Sequence, residues 1–133
     1  MGKELDACKI EQSLFYHKLE QPLYVEEIVV KVPPDRVDDW IRLDTEIWGP
    51  ILATRSIFKG KEIWVSKTNP GEITAIIYWS DYELLKTEDP DWIAEIDQKM
   101  KDAMGGAIES MVFRDATDLR VKVGEYRENN ESY

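Results

Sequence analysis

Ile57 to Ser80 reads IFKGKEIWVSKTNPGEITAIIYWS: two runs rich in Ile, Val, Thr, Trp and Tyr on either side of Asn69-Pro70-Gly71-Glu72. Pro at the second turn position presets φ and Gly at the third supplies a positive φ, so the stretch reads as a β-hairpin closed by a type II turn. Neither strand alternates cleanly between apolar and polar residues. In the second, Ile73, Ala75, Ile77 and Trp79 share one face while Ile76 and Tyr78 take the other. In the first, Ile63 and Val65 are expected to oppose Phe58 and Trp64. A sheet that is apolar on both faces has to be covered on both.

Upstream, Leu23 to Val32 (LYVEEIVVKV) reads as a first strand, with Val25 and Val29 on one face, Ile28 and Val30 on the other, and Glu26 and Glu27 pointing opposite ways. Pro33-Pro34 ends it, because Pro cannot donate to a ladder, and Asp35 suits the N-cap of a helix from Arg36 to Ala53. On that helix Val37, Trp40, Ile41, Ile47, Trp48, Ile51 and Leu52 fall within an arc of about 140°. Asp44 falls near the middle of this apolar arc, and Pro50 is expected to tighten the last turn.

Downstream, Ser80-Asp81-Tyr82-Glu83 reads as a capping box that opens a short helix. Asp89-Pro90 opens a second helix, with Trp92, Ile93, Ile96, Met100, Ala103 and Met104 as its stripe and Gly105-Gly106 as its stop. Ala107 to Arg114 reads as a fourth strand, and Leu119 to Val123 as a fifth, edge strand or an ordered tail. Residues 1–22 are polar around a small apolar knot, Leu14-Phe15-Tyr16, and are expected to extend outside a single domain at residues 23–123. Residues 124–133 form a polar tail.

The order strand, helix, strand, strand, helix, strand is that of the ferredoxin-like α+β fold, βαββαβ, an antiparallel sheet with its helices on one face. The other face, apolar in all three strands above, would meet water in a monomer. Large apolar patches are uncommon on soluble monomers, so a two-fold homodimer packed sheet to sheet is expected.

Charge narrows the partners. Among 133 residues there are 27 acids and 17 bases, a net charge of −10. The bases are scattered, which argues against nucleic acid, since phosphate contacts need clustered Lys and Arg. No segment approaches the roughly 18 to 20 apolar residues that span a bilayer, so no membrane is expected. The first residues carry acids and no apolar core of a signal peptide, and Asp6 stands where a myristoylation motif needs Ser or Thr. One cysteine, Cys8, leaves no intramolecular disulfide and no multi-cysteine metal site, and points to a reducing cytoplasm. His17, the lone histidine, reads as a surface residue, and no cluster of donors calls for a metal or a cofactor.

Leu43-Asp44, Glu46-Ile47-Trp48, Pro50, Phe58-x-Gly60-Lys61-Glu62-Ile63-Trp64, Ile77-x-Trp79 and Ala103-Met104-Gly105 resemble a group of small, mainly cyanobacterial proteins of unknown function. That group is similar to the dimeric α/β-barrel superfamily, which includes antibiotic-biosynthesis monooxygenases and haem-degrading enzymes. The resemblance spans roughly Tyr24 to Phe113 and implies the fold and a dimer. Haem-degrading relatives combine an Asn on the first strand, a Trp late in the sheet and a His on the second helix. Here Trp79 could match the Trp, but the first strand has no Asn and residues 81–104 have no His, so the resemblance does not extend to haem chemistry.

Cofactor-free monooxygenases of the superfamily use pockets between sheet and helices. For such a pocket this chain offers Asp44 as a candidate catalytic base, with Trp48, Trp64, Tyr78 and Trp79 as candidate ligand-binding residues. A carboxylate in an apolar wall has its pKa raised by desolvation, which suits a base. The other reading is that Asp44 accepts from an indole N–H or a backbone amide and fixes the helix on the sheet, the commoner fate of a buried polar group. Tryptophans at core spacing are likewise more often packing than a ligand box. Lys61 and Glu62 read as rim charges, and Arg114 as an exposed cation or an anion holder. The leading expectation is a homodimer that binds a small, partly apolar molecule between helices and sheet. The alternatives are a cofactor-free oxygenase, or an interaction module that uses residues 1–22.

Overall fold

In a computed structural model of the protein, the residues described are 15–114 and 119–128. Cys8, most of the N-terminal extension and the last five residues of the tail lie outside them.

β1, Tyr16–Lys31, is the strand on which the sheet is assembled. One edge pairs with β3, Glu72–Trp79, in antiparallel register from Tyr24↔Trp79 to Lys31↔Glu72. Its other edge is shared by two short strands in line: β4, Ser110–Phe113, beside residues 28–31, and β5, Val121–Tyr126, beside residues 16–18 and 23–24. β2, Phe58–Val65, lies outside β3. The first strand was expected to open at Leu23, and it opens at Tyr16. The cause is β5, which supplies ladder partners for Tyr16, His17 and Lys18 and sets the Tyr126 ring 4.9 Å from that of Tyr16.

The hairpin turns at Asn69-Pro70-Gly71, closed by Glu72 N–H donating to the Asn69 carbonyl at 3.1 Å. Gly71 has φ 90°, and a Cβ there would lie 2.1 Å from the Val32 carbonyl oxygen. The close approach follows from the Val32 N–H donating to the Gly71 carbonyl at 2.9 Å, which ties the turn to the end of β1. In β2 the register shifts between Phe58 and Gly60. That bulge brings Phe58 beside Trp79, onto the face of Ile63 and Val65 rather than the opposite face expected from strict alternation.

A 3-10 turn at Pro34–Arg36 leads into α1, Val37–Ala53. Because Pro34 opens that turn first, Asp35 is not the cap: Arg36 occupies the N-cap position without a side-chain bond. α2, Tyr82–Leu85, is capped by Asp81, whose carboxylate accepts from the Leu84 N–H, one residue beyond the expected Ser80. α3, Pro90–Ala103, starts where expected, with Asp89 accepting from the Asp91 N–H. α1 and α3 lie against each other and cover one face of the sheet, the ferredoxin-like α+β arrangement.

Beneath the helices Val30, Val32, Trp40, Ile73, Ala75, Met100 and Met104 form one buried cluster, and Leu52, Ile57, Ile77 and Trp79 a second. Each large apolar side chain so buried contributes about 1.5–3 kcal/mol. Along β3 burial alternates without a break: Ile73, Ala75, Ile77 and Trp79 are buried, while Thr74, Ile76 and Tyr78 are half-buried on the far side. The register sets Val25, Val29, Trp64 and Val112 on that far side too, and Trp64 is 61% exposed.

Candidate functional site

A cavity of about 140 Å³ lies between α1, α3 and the covered face of the sheet. Its floor is apolar, made by Ile28 and Val30 of β1 and Ala75 and Ile77 of β3. Four tryptophans wall it: Trp40 and Trp48 from α1, Trp79 from β3 and Trp92 from α3. The helical stripes and the two-residue period of β3 bring these rings to one space from three elements.

Charged groups enter this wall mostly as neutralised pairs. Asp44 is buried on α1, and its Oδ2 accepts from Lys61 Nζ at 2.6 Å, the lysine reaching across from β2. Asp44 is therefore held by an ammonium, not by an indole or a backbone amide. Lys61 shares the inward side of β2 with Ile63, being in register with Ile77, and is itself largely covered. Removing one partner of a buried pair of this kind costs about 3–5 kcal/mol, because the other charge is left without compensation. Arg55 donates to Glu88 at 2.7 Å and lies over the Trp92 ring, 4.7 Å from its centroid. Glu26 of β1 accepts from the Trp79 indole N–H at 3.1 Å.

Two polar groups are unlike the rest. The Trp40 indole N–H is buried with no hydrogen-bond partner among the described residues, a state that costs about 1–3 kcal/mol. Asp97 of α3 lines the cavity and takes part in no hydrogen bond among the described residues. Burial pushes its carboxyl above the ordinary aspartate value, with Lys101 one turn on opposing the shift.

Of the residues singled out from sequence, the structure brings Asp44, Trp48 and Trp79 together around the cavity. Trp64 and Tyr78 lie on the opposite face of the sheet, where both donate to Glu62, at 3.1 and 3.2 Å respectively. Burial, followed by the Glu62 carboxylate, pushes the Tyr78 phenol above its ordinary value. Lys61, Asp97, Trp40 and Trp92 were not anticipated as site residues. Their signal was present: Lys61 has the same parity as Ile63, and Asp97 continues the spacing of Ile93 and Met100. Among the described residues no group of three or more His, Cys, Asp or Glu could hold a metal ion, and no helix is long and apolar enough to cross a membrane.

No protein-family model and no curated protein matches this sequence. Solved structures do match. A candidate antibiotic biosynthesis monooxygenase of Caulobacter crescentus is 16% identical with a TM-score of 0.52, over 81% of this chain and 97% of that one. A NIPSNAP family protein of unknown function from Agrobacterium tumefaciens is 12% identical with a TM-score of 0.55, over 80% and 94% of the two chains. A dimeric ferredoxin-like protein from an uncultured marine organism is 12% identical with a TM-score of 0.55, over 81% and 94%. These likenesses show the fold: a ferredoxin-like α+β domain whose structural neighbours are monooxygenase-like and dimeric ferredoxin-like proteins.

Proposed function

We propose that this chain is a homodimeric protein that binds a small, mainly apolar molecule in the cavity between helices and sheet. The carrying observation is the cavity itself, about 140 Å³ of space where protein interiors are ordinarily close-packed. Apolar cavities of about 150 Å³ take up a molecule of benzene size. The far face of the sheet supports the dimer: Trp64 and Val112 are exposed there and Val25 and Ile76 half-buried, apolar surface that a second copy would cover. The motif resemblance around Asp44, Trp48 and Trp64 supports the same reading.

Ala75→Leu tests the cavity. It adds apolar volume at the buried floor and leaves every polar group in place. The native chain is expected to show tryptophan fluorescence changes and a raised melting temperature with single-ring aromatic compounds, and Ala75→Leu to show neither while remaining folded. A native chain indifferent to every compound of that size would overturn the reading.

A cofactor-free oxygenase is the second reading, favoured by the position of Asp44 in the cavity wall. In it, Asp44 takes a proton from the substrate and the substrate anion itself reacts with oxygen. The Lys61 ammonium occupies Oδ2, which leaves Oδ1 as the oxygen that would take the proton. Substrate-dependent oxygen uptake abolished in Asp44→Asn supports this reading; uptake unaltered by the substitution removes Asp44 from the mechanism.

A further inference from the structure

The acids around the cavity differ in what already holds them. Asp44 is bound to Lys61, Glu88 to Arg55, and Glu26 accepts from the Trp79 indole. Asp97 belongs to α3, where Ile93, Asp97 and Met100 reach the cavity from successive turns. Lys101 is the one opposite charge acting on it, from an exposed position on the same helix. The remaining cations that line the space, Lys61 and Arg55, are engaged by their own carboxylates. Asp97 is half-buried at the cavity wall, where burial already works against its charge, and a ligand ammonium would give it a charge-assisted hydrogen bond.

We infer that Asp97 is the ligand-contacting acid of this cavity, and that the molecule it selects is an apolar amine: a body of about one ring that carries an ammonium group. The inference rests on the ligand-binding reading above and specifies its chemistry. Two further observations bear on it. The tryptophan walls suit a cation, since indole faces attract positive charge, and the Arg55 guanidinium over Trp92 shows one such contact already formed in the wall. The chain's net charge of −10 favours the approach of a cation over that of an anion. An anionic ligand would meet Asp97, and among the described residues both cations that line the cavity are already engaged by carboxylates.

Phenethylamine, 2-phenylethanol and ethylbenzene are near-isosteric probes that differ in charge and in hydrogen bonding. Titrated into the full chain at neutral pH, the amine is expected to bind about tenfold or more tighter than the alcohol, the usual worth of a charge-assisted hydrogen bond. Asp97→Asn is expected to erase that preference while leaving the affinity for ethylbenzene, which has no donor, within about twofold, and Asp97→Glu to retain it. The amine should also weaken as pH falls and Asp97 takes up a proton. Equal binding of amine and alcohol by the native chain, or an amine affinity untouched in a folded Asp97→Asn variant, overturns the inference and leaves the cavity reading standing. If none of the three probes binds the native chain, the cavity reading fails and the inference falls with it.

Discussion

The two faces of the sheet are built from the same strands and reach opposite ends. On β3 the odd-numbered residues from Ile73 to Trp79 vanish beneath the helices, while Ile76 and Tyr78, one position away, stay half-exposed. Charges follow the same division. Beneath the helices Asp44 and Lys61 are a covered pair that touch within a single hydrogen bond. On the far face Glu27 is shared between Arg114 and Arg120, Glu62 between Trp64 and Tyr78, and Lys122 lies over the Tyr78 ring. A face covered by its own chain can keep a buried ion pair and a cavity, because the fold holds Asp44 against Lys61 and Glu88 against Arg55. A face left open keeps its polar groups in networks that tolerate water, and leaves apolar groups such as Trp64 and Val112 exposed.

The largest expected effect breaks the covered face. Lys61→Met leaves Asp44 buried without a counter-charge and should lower stability by about 3–5 kcal/mol in urea denaturation. The double variant Lys61→Met with Asp44→Leu should recover most of that loss, since an apolar pair of similar volume replaces the ions. Next comes the turn that sets which residues face which way. Gly71→Ala should cost about 2–3 kcal/mol, from the positive φ and from the overlap with the Val32 carbonyl. The open face should respond in assembly and not in folding. Trp64→Lys with Ile76→Lys, the second lying in register between Glu27 and Glu62, is expected to change monomer stability by less than about 1 kcal/mol while converting a dimer to monomer in light scattering.

The smallest effect separates Asp97 from the paired acids. Its carboxyl is pushed up in the folded state, so the folded chain holds that proton more readily than the unfolded one. The charged form therefore costs stability at neutral pH, and the cost disappears as pH falls through the raised value. Asp97→Asn should accordingly melt slightly higher than the native chain at neutral pH, and the gap should close on acidification. An unchanged gap from neutral to acidic pH would mean that desolvation of Asp97 is not its cause.

The fold was legible because it is written in periodicity. The stripes of α1 and α3, the Asn69-Pro70-Gly71 turn and the two apolar faces of β3 all carry their structure locally. Phe58 was misplaced because the bulge at Gly60 moves it to the other side of its strand, and alternation cannot foresee an extra residue. Tyr16 to Pro22 shows no pattern of its own and becomes strand through a partner far along the chain. At the site, Asp44, Trp48 and Trp79 were readable as residues on inward stripes. Trp64 and Tyr78 were grouped with them for their aromatic character, although their parity already set them on the other face. Lys61 was read as a rim charge because a lysine on a strand is ordinarily solvated. Its long aliphatic stem is what lets it run inward to a carboxylate on a neighbouring helix.

β1 also sets a timetable. Tyr16 waits for Tyr126 and Val30 for Met111, so the first of the described strands to be synthesised is completed only by β4 and β5, the last two of them. Local helices and the hairpin can form during synthesis, but one edge of β1 stays open until β4 and β5 follow. Pairings so distant in sequence make folding slow, and an unpaired apolar edge at Ile28 to Val30 offers itself to other nascent chains throughout that interval.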